Sequence, residues 1–244
     1  MTRGGPAAWK IFEVMFQPWL RRRLDGIHLA NLPPEVDGEP RGPLVLVANH
    51  VSWFDGFLLR EIQRRLRPSS VFRTIMLEDQ LRRNPVLHGL GGMGLDPDRP
   101  ISFKHLLRQL QVLRASPGGG ELVVSFFPQG RIYPSFRRPL GFQPGLQLLL
   151  RSLAPCTVQE IGIHIEPGNT VSPEAFILGG ERRFQTGSVG ASVEEVESGV
   201  ARTLDRIHTH LAHLGEDAGR AWPSSPDLPL PAPTPHPGDP MAQD

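Results

Sequence analysis

A histidine with a carboxylate five residues downstream is the pair in this chain whose types and spacing suit proton-transfer chemistry. It lies in Ala48-Asn49-His50-Val51-Ser52-Trp53-Phe54-Asp55. An imidazole titrates near neutral pH and serves as a general base, and a nearby carboxylate fixes its tautomer and stabilises its protonated form. The same residues carry a structural reading. Ser52-x-x-Asp55 fits a capping box, in which Asp55 satisfies a backbone amide at a helix start. Both readings put Asp55 in a first helical turn, facing the loop that holds His50.

The elements that must position this pair can be read on either side of it. Leu44–Ala48 is a continuous apolar run, the pattern of a strand buried on both faces. In an open α/β sheet, ligands gather beyond the carboxyl ends of strands, where Asn49 and His50 stand. Phe57–Leu66 reads as a helix closing on Arg64, Arg65 and Arg67, which suits its dipole. Further strands are expected at Val71–Leu77, Glu121–Phe127, Thr157–Glu166 and Glu174–Leu178. Helices are expected at Asp79–Leu90 with a break at Pro85, at Ile101–Ala115, at 145–153 and at Ser192–Leu214, the last opened by a Ser192/Glu195 capping box. Strands alternating with helices predict an α/β fold, a mostly parallel or mixed sheet flanked by helices.

A chain of 244 residues, 39% hydrophobic, suffices for one domain with a substantial core. A formal charge of +1 gives no bulk attraction to nucleic acid. The single cysteine, Cys156, excludes an intrachain disulfide and fits a reducing compartment. No apolar run approaches the ~20 residues that span a bilayer. Residues 1–30 are expected to form an amphipathic membrane-interface segment. Within it Trp9, Phe12, Phe16, Trp19 and Leu20 share one helical face, Pro18 interrupts, and Arg21, Arg22 and Arg23 close the run. That composition suits a lipid interface and equally a helix packed on the domain's own core. Residues 31–214 form the main domain. Residues 215–244, rich in proline, serine and aspartate, are expected to be a disordered tail. His164 reads as a strand residue, and His208, His210 and His213 read as solvated positions rather than metal ligands.

The order and separation of two blocks carry a resemblance. Asn49-His50-x4-Asp55, followed by Phe126-Phe127-Pro128-Gln129-Gly130-Arg131, resembles the first and third blocks of the glycerolipid acyltransferases. These are the 1-acylglycerol-3-phosphate and lysophospholipid acyltransferases. The resemblance implies acyl transfer with His50 and Asp55 catalytic, and with Asn49, Arg99, Phe127, Pro128, Gln129, Gly130 and Arg131 at the substrates. It implies acyl-CoA or acyl-carrier protein as donor, no metal or resident cofactor, and no nucleic acid. The acceptor would be a lipid met at the cytoplasmic face of a membrane, where the protein is peripheral.

The chain departs from the family at several positions. The family's third block reads Phe-Pro-Glu-Gly-Thr-Arg, whereas Gln129 stands in the glutamate position, Arg131 in the threonine position and Ile132 in the arginine position. The Asp-Arg pair of its second block has no direct counterpart in Gly94-Leu95-Asp96-Pro97-Asp98-Arg99. Arg99 is the available guanidinium, suited to an anion, with a solvated surface arginine as the alternative. The preceding Gly91-Gly92 cluster is a weak phosphate-cradle signal. These departures favour an acceptor other than lysophosphatidate, either another lysophospholipid or a glycosylated, aminoacyl or hydroxylated lipid. A membrane-surface binding protein without chemistry is the remaining alternative.

Overall fold

The computed structural model describes residues 14, 18, 20, 22–33, 42–116, 121–168, 170–187 and 190–222. The expected aromatic face at Trp9, Phe12, Phe16 and Trp19, and the tail from residue 223, lie outside them.

Seven strands form one sheet in the order β1-β7-β6-β2-β5-β3-β4. They are β1 (Gly26–Ala30), β2 (Leu44–Ala48), β3 (Val71–Leu77), β4 (Gly92–Leu95), β5 (Leu122–Phe126), β6 (Cys156–Glu166) and β7 (Glu174–Gln185). β2 to β6 run parallel to one another; β7 is antiparallel to β6 and carries β1 parallel beside it. Helices among the described residues include α1 (Asp55–Leu66), α2 (Glu78–Arg83), α3 (Val86–Gly89), α4 (Pro100–Ala115), α5 (Gly145–Leu153) and α6 (Val193–Leu214). The fold is α/β, with a mostly parallel mixed sheet between helices. Among the described residues no helix is long and apolar enough to cross a membrane.

The apolar run of β2 explains its place in the middle. All five residues are fully buried, and alternation sends them to opposite faces. Val45 and Val47 join the core built with α4, α5 and α6, through Leu110, Leu149, Val200 and Leu204. Leu44, Leu46 and Ala48 join the core built with α1, through Leu58, Leu59 and Ile62. Burying each such side chain contributes about 1.5–3 kcal/mol, so β2 cannot slip register by one residue. Leu20 and Leu24 belong to this second core, so the end of the N-terminal segment packs on the domain itself.

Four expectations needed correction. β1 lies within residues 1–30, so the domain's sheet begins before residue 31. Gly26-Ile27-His28-Leu29-Ala30 is too short and mixed to announce a strand, and pairing with the sequence-distant β7 creates it. The glycine cluster is not a phosphate cradle. Gly92 and Gly94 are strand residues of β4, and a Cβ on Gly92 would meet Leu81 Cδ2 at 2.7 Å and the Leu87 carbonyl oxygen at 2.8 Å. Missing side chains let α2 and α3 press on the sheet edge. β7 continues to Gln185 rather than ending at residue 178. Finally, Gly215–Asp217 forms a 3-10 turn, after which Ala218 and Trp222 are buried, so residues 215–222 belong to the domain. Cys156 is buried, and burial pushes its thiol up to about 12.

Trp222 is 5% exposed and its ring meets those of Phe176 and His210 at 5.1 and 4.9 Å. Truncating a buried tryptophan costs about 3–5 kcal/mol. We expect Trp222→Ala to lower the urea midpoint by a corresponding amount, and a chain ending at residue 222 to keep wild-type stability.

Candidate active site

His50 and the Phe127–Gly130 turn follow adjacent parallel strands, β2 and β5, and so meet at one edge of the sheet. The turn is closed by the Gly130 amide donating to the Phe127 carbonyl at 3.1 Å, with Pro128 and Gly130 at positions that suit a tight reversal. Gly130 has φ +67°, which glycine adopts without strain.

The His50–Asp55 pair is formed. Asp55 is fully buried, and its Oδ2 accepts from His50 Nδ1 at 2.7 Å, from the Val51 amide at 2.7 Å and from the Ser52 amide at 3.0 Å. Its Oδ1 accepts from Ser52 Oγ at 2.6 Å. A carboxylate only accepts, so His50 Nδ1 carries a proton and a neutral ring leaves Nε2 bare. Half of the expected capping box is present as well. Asp55 reaches back to the Ser52 amide, but Ser52 Oγ accepts from the Phe54 amide at 3.2 Å rather than from Asp55, and α1 begins at Asp55 itself. One carboxylate therefore shapes the loop and orients the imidazole. The His50 ring stacks on Phe127, with centroids 4.6 Å apart and planes 24° apart, and keeps 22% of its side-chain surface exposed.

Two residues expected at the substrates are spent on the scaffold. Asn49 is buried, its Oδ1 accepting from the Ile163 amide and its Nδ2 donating to the Ile163 carbonyl, both at 2.8 Å. The side chain thus continues the β2–β6 ladder one step past Ala48. Gln129 is 6% exposed; its Oε1 accepts the His50 amide at 2.7 Å and its Nε2 donates to the Leu140 carbonyl at 3.1 Å. A glutamate could accept the first bond but not donate the second. The Gly130 amide, already bonded to Phe127, is also taken.

Arg99 is not gathered at His50. Arg99 precedes α4, with 73% of its side chain exposed and Nε 3.4 Å from Asp96. It follows β4, three strands from β2, which is about 14 Å across the sheet. Arg131 is exposed just beyond the turn. Pro128 is buried.

Sequence reasoning missed the loop of residues 131–144 as a buttress. The Tyr133 amide donates to the His50 carbonyl at 2.8 Å, and the Gln143 amide donates to the Pro128 carbonyl at 2.9 Å. Glu197 on α6 accepts from the Gly141 and Phe142 amides at 2.8 and 2.9 Å, and Arg138 pairs with Asp205. His164, His208 and His210 are also not solvated: His164 and His208 both reach Ser135, and His210 packs against Trp222. Burial, then the neighbouring His164, holds His208 below the usual histidine range. The polar residue types in this loop carry no periodicity, so only the fold reveals them.

No family model matches the chain, and no curated protein matches it.

Removing the Asn49 side chain leaves two buried backbone groups of Ile163 unpaired, at about 1–3 kcal/mol each. Asn49→Ala is expected to lower the melting temperature by about 5 °C or more. Gln129→Glu is expected to destabilise as well, because it buries a charge facing the Leu140 carbonyl. Thermal unfolding of the two variants checks both.

Proposed function

We propose that this protein is an acyltransferase that moves an acyl chain from acyl-CoA or acyl-carrier protein to a hydroxyl of a membrane lipid, as a peripheral protein at the cytoplasmic face. The observation that carries this reading is the 2.7 Å contact between Asp55 and His50 at the carboxyl end of the central strand. In the proposed reaction the bare Nε2 of His50 removes the acceptor's hydroxyl proton as that oxygen attacks the thioester carbonyl. The carbon–oxygen bond forms, the carbon–sulfur bond breaks, and the imidazolium returns its proton to the departing thiolate. Asp55 stabilises the imidazolium between these events, so no covalent intermediate on the protein is needed. A lipid acceptor is supported by apolar side chains around the site. Trp53, three residues after His50, is 54% exposed, and Ile132 and Phe136, on either side of Tyr133, are 51% and 74% exposed, with Arg131 beside them.

His50→Ala is expected to lower kcat/KM by about 10²–10⁴-fold in thioester consumption with a lipid extract as acceptor, while the melting temperature stays near wild type. Asp55→Asn should lower the rate, because a neutral amide no longer stabilises the imidazolium. Its oxygen can still accept from the Val51 and Ser52 amides, while its nitrogen faces the Ser52 hydroxyl. Wild-type turnover in His50→Ala would overturn the mechanism.

Within this reading the site favours an acceptor with a weakly charged headgroup. A dianionic headgroup needs charge-assisted partners, or its desolvation costs several kcal/mol. Gln129 is neutral and fully engaged, and Arg99 lies strands away. Lysophosphatidate is therefore expected to be a poor acceptor beside glycosylated, aminoacyl or hydroxylated lipids when kcat/KM is compared across a panel with one acyl-CoA. A tenfold preference for lysophosphatidate that disappears in both Arg99→Ala and Arg131→Ala would reverse this assignment.

A further inference from the structure

A second cluster of reactive side chains lies outside the His50 site, where the buttressing loop meets β6 and α6. Ser135 Oγ is 2.6 Å from His164 Nδ1 and 3.1 Å from His208 Nε2. His164 Nε2 is in turn 2.6 Å from Glu166 Oε2. One proton arrangement that these contacts accommodate prepares Ser135 for attack. The Glu166 carboxylate only accepts, so His164 Nε2 carries hydrogen, and the neutral ring presents a bare Nδ1. Nδ1 then accepts the Ser135 hydroxyl proton, and the remaining lone pairs of Oγ accept from His208 Nε2. Burial favours the neutral form of His208, which supplies that donor.

The result is a hydroxyl on a base whose far nitrogen is held by a carboxylate, which is the arrangement that activates a serine nucleophile. A loop tie needs only one imidazole on Ser135; it does not need a carboxylate on that imidazole's far nitrogen. We propose that Ser135, His164 and Glu166 form a second, nucleophilic centre that takes the acyl group of small activated esters or thioesters onto Ser135. Oγ attacks the acyl carbonyl and its proton passes to His164 Nδ1. The bond to the leaving oxygen or sulfur breaks, and that atom departs with the proton from His164. Water then attacks the acyl-serine, giving one proton to His164, which returns it to Ser135 Oγ as the carboxylic acid leaves. The net reaction is hydrolysis. Ser135 and His164 are the catalytic residues, and Glu166 is a positioning residue. Ser135 is 6% exposed, which restricts the centre to small acyl groups, whereas the Glu166 side chain is 48% exposed and lies on the solvent side.

The test is phosphonylation of the full-length protein by a small alkyl fluorophosphonate, read by intact mass and by peptide mapping. The expected result is one adduct, on the peptide containing Ser135, and none in Ser135→Ala. His164→Gln should slow the modification by about 100-fold or more. Glu166→Gln should slow it by about tenfold or more without changing the melting temperature, which a purely structural carboxylate would not do. Mapping the adduct on the unmodified sequence locates the nucleophile even if Ser135→Ala fails to fold. Absence of an adduct on the wild type, an adduct on another residue alone, or an unchanged rate in His164→Gln would each overturn the proposal.

Discussion

The buried carboxylate of Asp55 is the constraint on which the site depends. Its two oxygens collect the Val51 and Ser52 amides, the Ser52 hydroxyl and the His50 ring. A fully buried carboxylate is tolerated only when its acceptor sites are filled, and here the backbone leaving β2 fills them. The loop and the histidine rotamer are therefore fixed by one desolvated group. Because α1 starts at Asp55, the helix whose apolar face packs under β2 also sets the height of that carboxylate above the sheet.

A second layer holds this arrangement from the other side. The His50 backbone is gripped at both ends, its amide by Gln129 and its carbonyl by the Tyr133 amide. The residues that do this belong to a loop without regular structure, which would be costly to order by itself. It is ordered because α6 and β6 offer it partners: Glu197 for two amides, Asp205 for Arg138, and the two imidazoles for Ser135. Gly199 of α6 leaves room for the buried Glu160 carboxylate of β6, whose Oε2 a Cβ there would meet at 2.0 Å. Packing of a helix far along the chain thus reaches the imidazole through a short series of hydrogen bonds.

At the position where the acyltransferase block that this segment resembles has a glutamate, Gln129 makes one bond as acceptor and one as donor, and a carboxylate cannot make both. Arg99, displaced in sequence, follows the edge strand β4, whereas Arg131 is exposed directly after the turn.

Much of the fold was legible because its signals are local. The apolar run of β2, the capping box of α6, the Pro85 break between α2 and α3, and the proximity of Asp55 to His50 all follow from residues a few positions apart. The sequence by itself therefore determined the α/β class, the central strand and the pairing of His50 with Asp55. What it left open depended on partners that only tertiary packing brings together. β1 exists because β7 lies beside it, and Asn49 is a ladder surrogate because Ile163 sits opposite. Trp222 is core rather than tail because Phe176 and His210 receive it. Ser135, His164 and His208 read as unrelated polar residues until β6, α6 and the loop converge. Burial and hydrogen-bond partnership at these positions are set by tertiary packing, which leaves no periodic trace in the chain.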